Sequence, residues 1–175
     1  MIVWVNGTFG AGKSTAARLL VEHDPRLRLF DPEEVGFMLR ANLADQQVTD
    51  FQQLPSWRRL TPVVADEVVR VTGQHLVAVQ TVLVEEYWDE LACGLAGLQH
   101  ELLHVVLDAE EEALRRRIEA DEVEARARSW RLRHLEEYDG ARHWMTRRAD
   151  LVVDTTILTP YDVAESIWKV AEPLL

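Results

Sequence analysis

Short apolar segments alternate with longer amphipathic segments along the whole chain. Five short segments are almost continuously apolar and rich in β-branched residues, which is typical of strands buried on both faces. We predict these strands at residues 1–6, 27–30, 76–82, 102–107 and 150–154. The segments between them repeat apolar residues at helical spacing. They predict helices at residues 14–22, 33–41, 57–72, 86–99, 110–119, 130–144 and 160–172.

This alternation of strand and helix indicates an α/β fold. A helix between consecutive strands lets the strands run parallel, so we expect a five-stranded parallel sheet with helices on both faces. The 175 residues match the usual size of one domain, and the chain shows no internal repeat or linker segment. We therefore expect a single domain over residues 1–175.

Composition and charge narrow the class of protein. With 47% apolar and 28% charged residues, the chain has the composition of an ordinary soluble globular protein. It contains no transmembrane-length apolar run and no basic-then-apolar leader before the first strand. The lone cysteine, Cys93, excludes an internal disulfide, and we expect a cytoplasmic protein. The net charge of −11 argues against nucleic acid as a partner, whereas the oligomeric state is not indicated.

The loop after the first strand carries a phosphate-binding pattern. Residues 7–14, GTFGAGKS, fit G-x-x-x-x-G-K-[ST] between a predicted strand and a predicted helix. Such a turn directs backbone N–H groups at one point, and the helix N-terminus adds partial positive charge there. Lys13 would reach the β- and γ-phosphates, and the Ser14 hydroxyl would ligate Mg²⁺. We predict a nucleoside triphosphate site formed by Gly7, Gly10, Ala11, Gly12, Lys13, Ser14 and Thr15.

Three stretches carry a more specific resemblance. They are residues 3–13, VWVNGTFGAGK, residues 30–40, FDPEEVGFMLR, and residues 50–58, DFQQLPSWR. They are similar to the tunicamycin-resistance ATP-binding proteins, within the P-loop small-molecule kinases that include adenylate, shikimate and gluconate kinases and chloramphenicol phosphotransferase. Weaker similarity continues at residues 129–130 and 159–164. The resemblance implies a sheet order of 2-3-1-4-5, ATP with Mg²⁺ as cofactors, and a mobile lid bearing arginines, which we place at about 117–130.

Asp31 is the carboxylate that we expect at the site, because it ends the second strand beside the P-loop. It could take a proton from an attacking hydroxyl or contribute to the Mg²⁺ site. The alternative is local, since an aspartate before Pro32 is a common helix N-cap. The third strand has no acidic residue for a metal, which favours Asp31 for that role. Gln80 in that strand either faces the site or is a satisfied glutamine at the sheet edge.

The resemblance places the acceptor of the phosphate near the second helix and residues 50–58. Arginine is a good bidentate donor to phosphate or sugar oxygens, and aromatic rings could form a stacking surface. Solvated charge and core packing are the ordinary alternatives for these residue types. The substrate-binding candidates are Asp31, Phe37, Arg40, Phe51, Gln52, Trp57, Arg58 and Gln80.

Arginines are dense between residues 115 and 133. Phosphoryl transfer spreads negative charge over the γ-phosphate oxygens, and a guanidinium delivered by a lid can accelerate it strongly. We predict Arg117 as a nucleotide ligand and Arg126 and Arg128 as catalytic residues beside Lys13 and Asp31. The alternative is a surface helix stabilised by ion pairs with the interleaved acidic residues.

Residues 100–104, HELLH, match the zinc-protease pattern H-E-x-x-H. The pattern binds zinc only on a continuous helix, where both histidines share a face. Here residues 102–107 are predicted as a strand, in which residues four apart lie roughly 13 Å from each other. We therefore do not expect zinc at this segment.

Two functions from different classes remain open. The first is an ATP-dependent phosphotransferase that modifies a hydroxyl of a nucleoside-type antibiotic, such as tunicamycin, or of a nucleotide sugar, and so confers resistance. The second is an ATP-binding protein that sequesters such a compound without phosphorylating it. The partner in both cases is a small molecule.

Overall fold

The computed structural model describes residues 1–123 and 125–175. The five strands are β1 Ile2–Gly7, β2 Leu27–Phe30, β3 His75–Val79, β4 Leu102–Asp108 and β5 Leu151–Asp154. The seven α-helices in these residues are α1 Lys13–His23, α2 Pro32–Asn42, α3 Pro55–Thr72, α4 Glu85–Gly97, α5 Glu111–Ala120, α6 Arg128–Arg148 and α7 Pro160–Ala171. Short 3-10 helices lie at Phe51–Gln53, Ala125–Ala127 and Glu172–Leu174.

The strands form one parallel sheet in the order β2-β3-β1-β4-β5. Every residue of β1 is buried, because this strand lies at the centre of the sheet and its two faces are covered by helices. Helix α1 packs on α7, and α3 packs on α4. The predicted fold class and strand order are confirmed.

The third strand is shorter than predicted and ends at Val79 rather than at residue 82. The reason is the Asn6 side chain, which binds both backbone groups of Val82: Oδ1 accepts from its N–H at 2.9 Å, and Nδ2 donates to its carbonyl at 3.2 Å. These bonds take the place of the backbone hydrogen bonds that Val82 would make to a neighbouring strand. Residues 80–84 therefore turn across the end of β1. Gln80 therefore follows the strand instead of belonging to it.

Helix α6 is longer than predicted at both ends, running from Arg128 to Arg148 instead of 130–144. Its first two turns include Trp130, Arg131 and His134, which the predicted helix also contained. None of the described helices is long and apolar enough to cross a membrane.

The H-E-x-x-H segment does not lie on one helix. His100 follows α4 and its Nε2 lies 2.9 Å from Asp66, whereas His104 is a buried residue of β4 stacked on Trp88 with ring centroids 3.8 Å apart. Gln99, with a φ of 63°, turns the chain between them. Among residues 1–123 and 125–175, no cluster of three or more His, Cys, Asp or Glu side chains is placed to hold a metal ion.

Candidate active site

The P-loop lies at the C-terminal end of β1 and leads directly into α1. Gly7 has a φ of 133°, and a Cβ there would lie 2.4 Å from the carbonyl oxygen of Leu107, so only glycine fits against β4. Gly12, with a φ of 94°, is the N-cap of α1. Among the described residues no side chain caps that helix, so its first N–H groups remain available to an anion.

The ammonium of Lys13 lies inside the loop. Its Nζ donates a 2.8 Å hydrogen bond to the carbonyl oxygen of Thr8 and is 5.6 Å from the Phe9 ring centroid. Burial lowers the pKa of Lys13 to about 7; the Glu33 carboxylate opposes this change and the Arg131 guanidinium adds to it. A bound polyphosphate would favour the charged form, which suits the predicted role.

Lys13 lines a pocket of about 340 Å³, which we call the Lys13 pocket. The structure brings four predicted site residues together there, namely Lys13, Ser14, Asp31 and Gln80. Hydroxyl and carboxylate oxygens are hard donors that suit Mg²⁺, so Ser14 and Asp31 fit the predicted metal role.

Asp31 is also the N-cap of α2, as the local alternative required. Its Oδ1 accepts a 2.9 Å hydrogen bond from the N–H of Glu33, and Pro32 opens the helix. The cap uses one carboxylate oxygen and leaves the other for a ligand. The two interpretations of Asp31 are therefore compatible.

Arg117 borders a second pocket of about 230 Å³ on the other side of the P-loop, the Arg117 pocket. The guanidinium donates to the Gly10 carbonyl at 3.3 Å and to the Thr155 carbonyl at 2.6 Å. These bonds connect α5, through Arg117, to the P-loop and to the loop after β5. The pocket is also lined by four predicted loop residues, Gly10, Ala11, Gly12 and Thr15.

A third cavity of about 540 Å³ lies beside the Lys13 pocket, and we call it the aromatic cavity. Rings from separate parts of the chain line it, including Phe9, Phe51, Tyr87 and Trp130. Of the predicted substrate-binding residues, its lining includes Arg40, Phe51, Gln52 and Gln80.

Four predicted substrate-binding residues do not line this cavity: Asp31 lines the Lys13 pocket instead, and the other three are Trp57, Phe37 and Arg58. Trp57 is completely buried, and its indole N–H donates to the Pro32 carbonyl at 3.0 Å. Its ring lies 5.4 Å from that of Phe51, so it supports the cavity wall from behind, which is the core-packing alternative. Phe37 of α2 meets the same Phe51 ring edge-on, with ring centroids 6.3 Å apart, and is 44% exposed.

Arg58 is the last of these residues, and it is a buried positioning group. Its Nε donates to Glu90 at 2.9 Å, its guanidinium lies 4.2 Å from the Tyr87 ring centroid, and Nη1 donates to the Gln52 carbonyl. Burial and these contacts keep the guanidinium away from the cavity. Arg58 thus holds the short helix of residues 51–53.

A hydrogen-bond chain connects that short helix to the P-loop. Gln52 Nε2 donates to the Thr81 carbonyl at 2.9 Å, and the Thr81 hydroxyl donates to the Gly7 carbonyl at 2.8 Å. Asn6 joins the same region through its bond to the Gly7 N–H at 2.8 Å. The wall of the aromatic cavity and the phosphate loop are therefore mechanically connected.

One arginine beside the phosphate loop was not singled out from the sequence. Arg131 lines both the Lys13 pocket and the aromatic cavity, and its guanidinium is 5.5 Å from the Phe9 ring centroid. It also forms a 2.8 Å ion pair with Asp121. The available signal was spacing, since Trp130, Arg131 and His134 share a face of the helix predicted at 130–144.

Arg126 and Arg128 lie differently from the prediction. Arg126 is exposed in the 3-10 helix Ala125–Ala127, and the Nη2 of Arg128 donates to the Asp121 carbonyl at 3.3 Å. Neither side chain lines the Lys13 pocket or the aromatic cavity. Their catalytic role, and a lid at 117–130, stay predictions.

Comparison with known proteins places the fold and the loop in context. The chain matches the AAA_33 model, described as an AAA domain, over residues 2–138. It has no significant match among curated proteins. The structure of the tunicamycin resistance protein of Deinococcus radiodurans is similar, with a TM-score of 0.71 and 25% identity over 98% of this chain and 95% of that chain.

Kinases are among the other similar structures. A sugar kinase from a Janibacter species has a TM-score of 0.69 and 20% identity over 98% of this chain and 94% of its own. The APS kinase of Mycobacterium tuberculosis, in complex with AMPPNP and APS, has a TM-score of 0.69 and 19% identity. The similarity covers 98% of this chain and 96% of the APS kinase. These similarities show a shared fold. Together with the family match over most of the chain, they establish that this protein belongs to the AAA_33 family and has a P-loop kinase-like domain.

Proposed function

We propose that the protein is an ATP- and Mg²⁺-dependent phosphotransferase acting on a hydroxyl of a small molecule. The observation that carries the proposal is the continuity of two sites. Phe9, Glu33, Gln80, Thr81 and Arg131 line both the Lys13 pocket and the aromatic cavity. A phosphate donor on the P-loop and an acceptor in the aromatic cavity would therefore meet beside Asp31.

The chain's own residues can perform the steps of the transfer. Asp31 accepts the proton of the acceptor hydroxyl, whose oxygen forms a bond to the γ-phosphorus as the bond to the ADP oxygen breaks. Lys13 and Arg131 place two positive charges where negative charge develops. Ser14 would hold Mg²⁺, which supplies charge neutralisation at the phosphates, and the alternative role of Asp31 is to hold a water of that Mg²⁺.

The acceptor is proposed to be a nucleoside-type antibiotic or a nucleotide sugar, and the activity would give resistance to the antibiotic. The similar Deinococcus structure is a tunicamycin resistance protein, which supports this class. The aromatic lining of the cavity suits a planar ring. We further propose that residues 1–175 act as one cytoplasmic domain whose lid, at about 117–130, closes over both ligands.

Sequestration without chemistry is the second candidate. It is favoured by the capping bond of Asp31 to Glu33 N–H, which gives this carboxylate a structural role that needs no catalysis. A cavity of 540 Å³ is large enough to hold much of a drug-sized ligand.

One experiment separates the two candidates. The protein is incubated with ATP, Mg²⁺ and a panel of nucleosides, nucleotide sugars, aminoglycosides and tunicamycin, and the products are measured by mass spectrometry. A compound that gains one phosphate only when active protein and ATP are present supports the phosphotransferase. Tight binding of a compound that is recovered unmodified supports sequestration and contradicts the phosphotransferase.

A further inference from the structure

The aromatic cavity has more negative than positive groups in its wall. Glu33, Asp50 and Glu137 contribute carboxylates, against the guanidinium groups of Arg40 and Arg131. Phosphate-binding sites surround the anion with positive charge and directed donors. This wall instead has a small excess of carboxylates, although Glu137 lies 3.5 Å from His134, and so offers little attraction to a phosphate on the ligand.

The two arginines are also engaged with other groups. Arg131 forms its ion pair with Asp121, which brings a further carboxylate to that side. The guanidinium of Arg40 lies 5.7 Å from the Phe51 ring centroid. Neither arrangement resembles the paired arginines that bind a phosphate from two sides.

Gln80 carries a buried hydrogen-bond acceptor in the wall of the same cavity. The residue is only 5% exposed and lines both the cavity and the Lys13 pocket. Its Nε2 donates to the Thr81 carbonyl at 3.3 Å, which can only accept, so the amide orientation is defined. Within residues 1–123 and 125–175, Oε1 has no hydrogen-bond partner. A buried acceptor of this kind is costly unless a ligand donates to it.

Flat rings provide the remaining surface. Trp130 is 46% exposed, its ring centroid is 3.9 Å from that of His134, and Phe9 meets it edge-on at 4.9 Å. A planar heterocycle can extend such a cluster by stacking, which stabilises a bound base without requiring charge.

We propose that the aromatic cavity selects an uncharged planar heterocycle with a ring N–H, as in a nucleoside, and rejects the corresponding nucleotide. The heterocycle stacks against the cluster of Phe9, Trp130 and His134, and its N–H donates to Gln80 Oε1. Glu33, Asp50 and Glu137 disfavour phosphate on the same ligand. The inference rests on the cavity that the proposed function assigns to the acceptor, and it concerns binding and not transfer. It favours the nucleoside-type acceptor over the nucleotide sugar, because a nucleotide sugar carries phosphate.

The charge selection is tested by calorimetry with the P-loop saturated by Mg²⁺ and AMPPNP. The probes are uridine, inosine and their monophosphates. We expect at least one nucleoside to bind at millimolar concentration or below, and each nucleoside that binds to do so about tenfold or more tightly than its monophosphate, a difference of about 1.4 kcal/mol. Glu137→Lys should reduce this ratio, whereas the matched control Glu136→Lys, which is exposed on the same helix outside the cavity lining, should leave it unchanged. Monophosphates that bind as tightly as the nucleosides, or the absence of nucleoside binding at millimolar concentration, would overturn the inference.

The Gln80 contact is tested with the same nucleosides methylated at the ring N–H. The unmodified protein should prefer the unmethylated forms, and Gln80→Met, which keeps the length and removes the acceptor, should bind both forms about equally. Urea unfolding checks that this variant folds. An undiminished preference in Gln80→Met contradicts the contact. Selective nucleoside binding without any phosphorylated product would uphold this inference and contradict the proposed phosphotransferase. Phosphate transfer to a monophosphate acceptor would contradict this inference and uphold the phosphotransferase.

Discussion

The ammonium of Lys13 lies in a site that disfavours its charge until an anion binds. Its pKa is lowered to about 7 by burial, and bound phosphates would raise it again. Between pH 7 and that raised pKa, ATP binding should therefore take up a proton. ATP affinity should fall as the pH rises from 7 to 9, by up to roughly tenfold per unit.

Calorimetry in buffers of different ionisation enthalpy measures this uptake directly. At pH 8 the observed enthalpy of ATP binding should depend on the buffer, and Lys13→Met should remove the part of that dependence that exceeds the titration of ATP itself. An equal buffer dependence in both proteins would show that Lys13 does not take up the proton.

Arg131 is expected to be the arginine that stabilises the transferring phosphoryl group. It lines both pockets, whereas Arg126 is exposed and Arg128 is bound to a backbone carbonyl. Arg131→Ala should lower kcat by about 10³-fold, the order expected for such an arginine. Arg133→Ala, an exposed neighbour on the same helix, is the control in the steady-state assay. A larger loss in Arg126→Ala or Arg128→Ala would instead support the roles predicted from the sequence.

Individual site residues differed in how far the sequence could place them. The P-loop motif carries its own geometry, so Lys13 and Ser14 could be placed with Asp31 at one pocket. Trp57 and Arg58 could not, because an aromatic or a charged side chain in a helix has the same local pattern whether it faces a ligand or the core. Only packing shows that both support the cavity from behind.

At the scale of elements, α2 and the short helix at 51–53 are packed with little free space. A Cβ at Gly36 would lie 2.5 Å from the Phe51 ring. Gly36→Ala should therefore displace Phe51, lower stability by about 1–3 kcal/mol and weaken ligand binding in the aromatic cavity. Urea unfolding and calorimetry measure the two effects.

Gly140→Ala is the matched control, because no described atom beyond the nearby backbone of its own helix lies within 4 Å of the added Cβ. That variant should be as stable as the parent or slightly more so, since alanine favours the helix. Equal effects of the two substitutions would contradict close packing of α2 on the 51–53 helix.

Element types and order could be predicted because each strand and helix has a clear apolar period. The ends of β3 and α6 could not be predicted, because tertiary contacts determine where these elements stop. Val82 continues the apolar run of β3 in sequence. The Asn6 side chain, however, binds the backbone N–H and carbonyl of Val82, so Val82 does not pair in the sheet. That unpredicted turn places Gln80 and Thr81 at the junction of the two cavities.

For the molecule as a whole, His104 makes stability depend on pH. Its Nδ1 lies 3.1 Å from the Arg148 carbonyl, which can only accept, and Nε2 lies 3.5 Å from the Asn6 amide nitrogen, so the neutral ring fits both. Burial lowers its pKa from 6.5 to about 4. The neutral histidine therefore contributes stability that is complete above pH 6.5 and is lost as the pH falls towards 4.

The shift corresponds to about 3 kcal/mol between pH 7 and pH 4. Urea unfolding at several pH values should show a smaller loss for His104→Gln than for the parent. His143→Gln, at an exposed position, should keep the parent's pH dependence. A parallel dependence in His104→Gln would mean that this histidine is not the group responsible.

The central claim is that Asp31 takes part in phosphoryl transfer and does more than cap α2. Asp31→Asn retains an oxygen that can accept from Glu33 N–H, but the amide cannot act as a base at neutral pH. The decisive measurement is the rate of phosphorylated-product formation by the parent and by Asp31→Asn, with ATP, Mg²⁺ and the acceptor found in the panel, alongside acceptor affinity. The account predicts a rate lower by roughly 10²–10⁴-fold with nearly unchanged affinity. Equal rates in the two proteins, or ligand binding by the parent with no phosphorylated product, would contradict it.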